Sequence, residues 1–225
     1  MRLIAAVFCV LAALGVVGPS AAAEQVKQFT SQSPGGEFPG WKSFFAEPDV
    51  TTGQVWKLAA DGVLECRGKP LGYLYTEKDY KDFSLRLEWR WPEGRPGKGG
   101  VLMRKTGPEK IWPKSLEAQI NAPDAGDFWG LDGYTFSGPA VRLKQLAHPQ
   151  FGKLTNLKKT EMLERPAGQW NQYEILADGD TVTLAINGRP ANRATGCDLS
   201  PGKICLTSEG SQIFFRNVEL EARER

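Results

Sequence analysis

Apolar and polar residues alternate at every second position along several short segments of the chain, and this period of two limits the possible folds most strongly. In the segment DFSLRLEWRWPEG, one register holds Phe83, Leu85, Leu87, Trp89 and Trp91. Because successive side chains of a β-strand point to opposite faces, the pattern predicts a strand with one buried face. The polar residues between them predict a second, more polar face.

Similar segments follow at short intervals and are separated by turn signals. The segment TVTLAING places Val182, Leu184 and Ile186 on one face and ends in Asn187-Gly188, a pair typical of a two-residue hairpin turn. The segments GKICLTSEG and QIFFRNVELEAR predict two further strands. No segment of about 12 residues shows the 3.6-residue period of an amphipathic helix. We therefore expect an all-β sandwich or barrel.

Three regions differ from this alternating pattern. Residues 1–23 combine a positive charge, an apolar run and a small-residue cleavage site, which predicts a signal peptide for export to the periplasm or the exterior. Residues 24–50 are rich in Gly, Pro and Ser and predict an N-terminal lead-in, so the domain is expected over residues 51–225. Residues 124–166 predict a long loop excursion, a kind of segment that often carries function on a rigid sheet.

Charge and cysteine content argue against several classes of function. The 28 Lys and Arg residues nearly balance the 26 Asp and Glu residues. No basic stripe is present, so we expect no nucleic-acid partner and, after signal removal, no membrane partner. A single His and the lack of a Cys-x-x-Cys pair argue against a zinc site of ordinary spacing. Cys197 and Cys205 flank a predicted turn and could form a disulfide, although buried free thiols fit the sequence equally well.

The segment SLEAQINA combines a strand pattern with a row of polar side chains. Its polar face presents Glu117, Gln119 and Asn121, a carboxylate and two amides that suit sugar hydroxyls. Conventional glycoside hydrolysis needs two carboxylates on either side of the scissile bond. This row supplies only one, so a second acid has to come from elsewhere, for example from Glu209 in the segment SEG.

Five segments, taken in order, resemble the 3-keto-disaccharide hydrolase domain family, whose members are similar to concanavalin A-type jelly rolls. They are DGVLECRGKPLGYLYTEKDYKDFSLRLEWRW, GKGGVLMRK, LEAQI, RPAGQWNQYEILADGDTVTLAINGRP and ICLTSEGSQIFFRNVEL. The chain departs from the family pattern where Lys98-Gly99-Gly100 replaces Asn-Ser-Gly and where Asn121 replaces an Asp. The resemblance implies a concanavalin A-like jelly-roll β-sandwich of two antiparallel sheets.

The resemblance also implies cleavage of sugars that already carry a ketone at carbon 3. The ketone acidifies the proton on carbon 2, so one base can start an elimination that expels the glycosidic oxygen, and water then adds to the enone. We expect Glu117 as this base, Arg104 as the partner of the enolate oxygen, and Glu209 as the acid for the leaving group or as a metal ligand. A divalent cation (Ca²⁺, Mn²⁺ or Mg²⁺) could also stabilise the enolate.

Aromatic residues outside the predicted strands are candidates for sugar binding. Trp112 and Trp129 lie in predicted loops and could form a stacking platform together with Tyr134, although burial in the core fits each of them equally well. His148 is a lone imidazole before a proline and could act as a base or a substrate contact. Gln119 and Asn121 would complete the set of substrate-binding residues.

These observations leave functions of different classes open. The first is an exported enzyme that cleaves the glycosidic bonds of 3-keto sugars, with an oxidised disaccharide or glycoside as its partner. The alternative is a carbohydrate-binding module without catalysis on the same sandwich, which the amide at position 121 favours slightly. The long excursion favours the enzyme, because a pocket needs walls. A structural surface protein, the third alternative, would have no pocket at all.

Overall fold

A computed structural model describes residues 25–26, 29, 32–33, 35–149 and 151–223, and the regular secondary structure of this part of the chain is almost entirely β-strand. The predicted signal peptide, residues 1–23, lies outside the described residues. The strands, in chain order, are β1 (Gln25–Val26), β2 (Trp41–Phe45), β3 (Trp56–Leu58), β4 (Leu64–Cys66), β5 (Gly72–Thr76), β6 (Phe83–Arg90), β7 (Gly100–Lys105), β8 (Ser115–Gln119), β9 (Phe128–Leu131), β10 (Leu143–His148), β11 (Gly152–Leu157), β12 (Asn171–Asp178), β13 (Thr181–Ile186), β14 (Arg189–Ala194), β15 (Lys203–Ser208) and β16 (Ile213–Ala222). A single turn of helix, α1, spans Thr52–Val55.

The strands form two antiparallel sheets that pack face to face. The first sheet has the order β14-β13-β12-β6-β16-β4-β3, with β1 paired to β16. The second sheet has the order β10-β11-β9-β8-β7-β15-β5-β2. The prediction of an all-β sandwich of two antiparallel sheets is therefore confirmed. Within the described residues, no helix is both long enough and apolar enough to cross a membrane.

The core lies between the two sheets and is built from the alternating apolar positions. Phe83, Leu85, Leu87, Trp89 and Trp91 are each at most 1% exposed, as the alternation predicts. The inward residues of β13 are buried to the same extent. Each large apolar side chain that is fully buried contributes about 1.5–3 kcal/mol to folding. Packing of these rows fixes which face of every strand points outward.

The turn between β13 and β14 is the predicted two-residue hairpin. Asn187 has φ 53° and Gly188 has φ 75°, the left-handed conformation that this turn type requires at both positions. The Asn187 amide also donates to the carbonyl of Leu163 at 2.9 Å, which ties the turn to the preceding loop.

Two regions that were expected to be irregular contain strands. Strand β2 falls inside the expected lead-in, residues 24–50, and pairs with β5, so the sandwich begins before residue 51. The expected loop excursion, residues 124–166, contains β9, β10 and β11. Strand β10 is the edge of the second sheet and is exposed or half-buried throughout. An edge strand with both faces accessible needs no apolar row, so periodicity could not identify it.

The three cysteines in the described residues are buried free thiols. Cys197 packs in the core between the sheets, whereas Cys205 belongs to a separate apolar cluster on the outer face of the second sheet. Burial raises the pKa of both the Cys66 and the Cys197 thiols to about 12. Of the two alternatives left open for Cys197 and Cys205, the structure therefore has the unpaired one.

Candidate functional site

The outer face of the second sheet carries polar groups that are buried among apolar ones. Register places Glu117 between Leu102 of β7 and Trp129 of β9, and Gln119 beside Gly100. The alternation predicted for β8 is confirmed, because its inward residues are fully buried. Glu117, however, is only 5% exposed and is not a solvated side chain as its strand position suggested.

The Glu117 carboxylate lies over Gly100, in the space that a side chain at position 100 would fill. A Cβ atom added to Gly100 would lie 2.4 Å from Oε1 of Glu117. The glycine itself is held by Thr207, whose hydroxyl accepts from its N–H at 2.6 Å and contacts its carbonyl at 3.0 Å. Sequence reasoning did not single out Gly100, although a glycine inside a strand often marks a close approach of another group.

Glu209 adds a second carboxyl to this face. It follows Cys205 and Thr207 at alternate positions of β15, and its Oε1 is buried without a hydrogen-bond partner in the described residues. Burial raises the pKa of Glu209 to about 7, against the lowering effects of the Thr207 hydroxyl and the Lys98 charge. The structure thus brings together two of the residues predicted to be catalytic, Glu117 and Glu209.

The environment of Glu117 also favours the protonated form of its carboxyl. Burial raises the pKa of this carboxyl well above its usual range, and the nearby negative charges of Glu209 and Asp127 raise it further. No hydrogen bond or ion pair to Glu117 is present in the part of the chain that the structure describes. Burial and like charge are the two effects that keep a proton on a carboxyl at neutral pH.

Asp127 is the third carboxylate of this region, and it is bound by lysines. It is fully buried, and its oxygens lie 2.9 Å from Nζ of Lys158 and 3.0 Å from the backbone N of Lys159. Its own carbonyl accepts from the N–H of Gln119 at 3.0 Å, which joins it to the end of β8. Asp127 therefore serves to fix the Gln119 backbone and to place a negative charge near Glu117.

Ca²⁺, one of the divalent cations considered from the sequence, does not fit these residues. Among the described residues, no group of three or more His, Cys, Asp or Glu side chains is arranged to hold a metal ion. Asp127 is bound to its lysines, so Glu117 and Glu209 are the carboxyls near Gly100 that could take part in a metal site. Ca²⁺ sites use about six to eight oxygen ligands, more than these two side chains supply.

Arg104, predicted as the enolate partner, does not face the carboxyl pair. Its backbone has φ 51°, beside a register shift between β7 and β15, and its side chain is 1% exposed. The guanidinium donates to the carbonyls of Lys81, Asp198 and Gly179 at 2.7–2.8 Å and lies 3.7 Å from the Asp82 carboxylate. The catalytic assignment of Arg104 is therefore wrong, because all three guanidinium nitrogens are already bound in the protein.

Lys98, and not Arg104, is the cation whose charge favours the ionised form of Glu209. Its side chain is exposed, and its charge lowers the pKa of Glu209 against the effect of burial. The sequence carried a signal for it, because Lys98 stands where the family pattern has a neutral residue.

The two amides of the polar row have different environments. The Asn121 side-chain oxygen accepts from the N–H of Gly99 at 3.0 Å, so this residue holds the β7 end in place. An aspartate could accept the same hydrogen bond, which explains how either residue fits there. The Gln119 amide has no hydrogen-bond partner within the described residues, and it is the one positioned to bind a substrate hydroxyl.

The predicted aromatic residues divide into two groups. Trp129 and Trp112 border the apolar cluster on the outer face, and Trp112 packs edge-on against Phe151 at 6.1 Å. His148 stacks on the same Phe151 ring at 4.4 Å. Tyr134 is instead 3% exposed in the core, where its hydroxyl donates to the Asp198 carbonyl, so of the two alternatives left open for it the structure has burial in the core.

Comparison with known proteins gives a family and a fold. The model of a family described as the 3-keto-alpha-glucoside-1,2-lyase-like domain matches residues 28–221. No curated protein matches the chain. A Parabacteroides distasonis protein, described provisionally as a glycosyl hydrolase, is 18% identical over 89% of this chain and 94% of its own, with a TM-score of 0.61.

Two further solved structures share the fold. The beta-glucanase of Bacillus licheniformis is 12% identical, over 92% of this chain and 100% of its own, with a TM-score of 0.57. The carbohydrate binding module CBM66 from Bacillus subtilis is 16% identical, over 81% of this chain and 96% of its own, with a TM-score of 0.54. These similarities confirm the predicted concanavalin A-like jelly roll. At such identities they establish the fold alone.

The environment of Arg104 predicts that it stabilises the fold. Replacing it by Met (Arg104→Met) keeps an apolar stem but leaves three carbonyls and the Asp82 carboxylate without their cation, so we expect a loss of about 3–5 kcal/mol in the free energy of unfolding, measured in urea. The control Arg86→Met breaks an exposed ion pair with Glu174 and should cost less than about 1 kcal/mol. An Arg104→Met protein of normal stability that has lost only activity would restore the catalytic assignment.

Proposed function

The chain belongs to the family of 3-keto-alpha-glucoside-1,2-lyase-like domains, and on this premise we propose that it cleaves the glycosidic bond of 3-keto sugars by elimination followed by hydration. One observation carries the proposal. Two carboxyls with raised pKa, Glu117 and Glu209, lie on the same outer sheet face and influence each other's protonation. Such a pair can exchange protons with substrate at neutral pH, because one member holds a proton while the other is able to accept one.

The surroundings of the two carboxyls suggest a role for each. In this proposal Glu117, buried between the negative charges of Glu209 and Asp127, holds the proton and acts as the acid, and Glu209, with a pKa of about 7, acts as the base. This reverses the assignment expected from the sequence, in which Glu117 was the base. The reason is that Glu117 is the more deeply buried group and is flanked by two negative charges, whereas Glu209 lies near Lys98.

Elimination uses both groups once. Glu209 removes the proton from carbon 2, the electrons of that C–H bond form the double bond between carbons 1 and 2, and the bond from carbon 1 to the glycosidic oxygen breaks. Glu117 gives its proton to the departing oxygen, which leaves as an alcohol. The products are the free alcohol and an enone, and the carboxyl pair has exchanged its proton.

Hydration returns the pair to its starting state. The Glu117 carboxylate accepts a proton from water as the water oxygen attacks carbon 1, and Glu209 returns its proton to carbon 2. One water molecule is consumed and one glycosidic bond is cleaved. Each carboxyl is acid in one half of the cycle and base in the other, which suits groups whose pKa values lie near or above neutrality.

The substrate oxygens have candidate partners on the same face. The Gln119 amide and the Lys98 ammonium are the donors available for the oxygen at carbon 3, where negative charge develops during elimination. Trp129, next to Glu117 in the neighbouring strand, offers an aromatic surface to a sugar ring. We further propose that the domain acts after export, since residues 1–23 have the pattern of a signal peptide.

Turnover of 3-keto-trehalose and of plain trehalose tests this function. We expect release of glucose from the keto sugar alone, because only its ketone acidifies the proton on carbon 2. Glu117→Gln and Glu209→Gln should each lower kcat by roughly 100-fold or more, since each removes one proton transfer. Saturable binding of the keto sugar without any turnover by the wild type would contradict the proposal and support a carbohydrate-binding module instead.

The pH dependence of the reaction tests the two roles separately. We expect kcat/KM for the keto sugar to rise as the pH increases through about 7, because Glu209 must lose its proton to act as base. At higher pH the rate should fall again as Glu117 loses the proton that the leaving group needs. Full activity at pH 5 would show that the base is a group with an ordinary carboxyl pKa.

Substitution of Gly100 tests whether the position of Glu117 matters. Gly100→Ala puts a Cβ atom 2.4 Å from Oε1 of Glu117 and forces the carboxylate to move, so we expect kcat to fall roughly 100-fold. The matched control is Gly99→Ala, whose Cβ would be at least 3.4 Å from its neighbours, Ile213 and Trp91. Equal activity of the two variants would mean that the contact between Gly100 and Glu117 has no catalytic importance.

A further inference from the structure

The loop between β7 and β8, residues 106–114, is anchored on both sides of the outer face of the second sheet; we call it the strap. Glu109 of the strap accepts from Nζ of Lys105 at 2.7 Å and from the hydroxyl of Tyr73 on β5. The next residue, Lys110, pairs at 2.6 Å with Asp132, directly after β9. Strands β5 and β9 are four positions apart in this sheet, or roughly 19 Å, so the strap lies across the face.

The two residues that Glu109 contacts, Lys105 and Tyr73, are both buried. Tyr73 is 2% exposed and Lys105 is 4% exposed. The ammonium of Lys105 lies 5.7 Å from the ring of Tyr73 and 5.6 Å from the ring of Tyr75, so two aromatic faces and one carboxylate surround it. A cation that is removed from water in this way depends on its anionic partner much more than an exposed lysine does.

Trp112 provides a second attachment at the other end of the strap. Its backbone has φ 58°, which is unusual for a large side chain. The indole packs edge-on against Phe151 and belongs to the rim of the apolar cluster around Leu131 and Leu154. Phe151 comes from the turn between β10 and β11, so two loops meet over this part of the sheet.

Burial of the sheet beneath these loops shows that this half of the face is covered. Leu102 and Cys205 point outward from the second sheet, yet both are 0% exposed. The strap follows Lys105, which lies five residues and roughly 17 Å along β7 from Gly100. Leu102 is the register partner of Glu117, so the covered part of the face reaches the carboxyl pair.

We propose that the strap, fixed by Glu109, determines the length of substrate that the site accepts by closing one end of the sugar groove. This inference rests on the proposed function and assigns a specificity role to residues that take no part in the proton transfers. A groove that is open at both ends would admit internal units of a long chain. With the strap in place, the keto unit can carry only a short extension in this direction.

The test compares two substrates of different length that carry the same keto unit. They are a 3-keto disaccharide and a pentasaccharide with the ketone on its terminal unit. We expect the wild type to prefer the disaccharide in kcat/KM. Glu109→Ala should reduce this preference roughly tenfold, mainly by lowering KM for the pentasaccharide. Glu109→Gln, which keeps an acceptor for Tyr73 but loses the charge opposite Lys105, should have an intermediate effect. An unchanged preference in Glu109→Ala would overturn the proposal.

Glu161→Gln is the matched control, because it breaks an exposed ion pair with Arg189 at 2.6 Å that is remote from the strap in sequence. Its substrate preference should equal that of the wild type; a shift as large as that of Glu109→Ala would overturn the specific role of the strap. A wild type that cleaves neither substrate refutes the proposed function. The attachment of the strap by Glu109 is then tested by the rate of trypsin cleavage after Lys110 and Lys114. Faster cleavage at these sites in Glu109→Ala than in the wild type supports this attachment, and equal cleavage rates refute it.

Discussion

The candidate site depends on the pleat of strand β8, which links the burial of one row of side chains to the exposure of the next. Leu116 and Ala118 are fully buried between the sheets, so Glu117 and Gln119 must point to the outer face. A slip of one residue would place the Glu117 carboxylate in the apolar core. The packing of the sandwich therefore fixes the direction of the Glu117 and Gln119 row, while Gly100 leaves the space in which the carboxylate lies.

The carboxyl pair reduces the stability of the fold at neutral pH. The folded-state pKa of Glu209 is about 7, above its ordinary value of 4.5. A group with a raised pKa contributes its full stability below the unfolded pKa and loses it as the pH rises through the folded value. The contribution of Glu209 to the free energy of unfolding is therefore fully present below about pH 4.5, falls as the pH rises, and is lost by about pH 7. The apolar rows between the sheets, and buried contacts such as those of Arg104, offset this loss.

Local patterns predicted the parts of the chain whose structure is decided locally. The alternation from Phe83 to Trp91 and the Asn187-Gly188 turn needed only the period of a strand and the conformation of a hairpin. Arg104 could not be placed in this way, because one residue with positive φ beside a register shift turns its side chain away from the row that counting predicts. Strand β10 was missed because an exposed sheet edge leaves no periodic signal, and Tyr134 stayed open between core and sugar platform because its hydroxyl partner leaves none either.

The two departures from the family pattern, at Lys98 and Asn121, both change the electrostatic potential around Glu209. Lys98 replaces a neutral residue and adds a positive charge that lowers the pKa of Glu209. Asn121 replaces a carboxylate and removes a negative charge, while it keeps the hydrogen bond to the N–H of Gly99, the residue next to Lys98. A carboxylate at position 121 would oppose ionisation of Glu209, since like charges raise each other's pKa. Both changes therefore make the potential around Glu209 more positive, which favours ionisation of one member of a buried, mutually repelling pair, as the proposed reaction requires of its base.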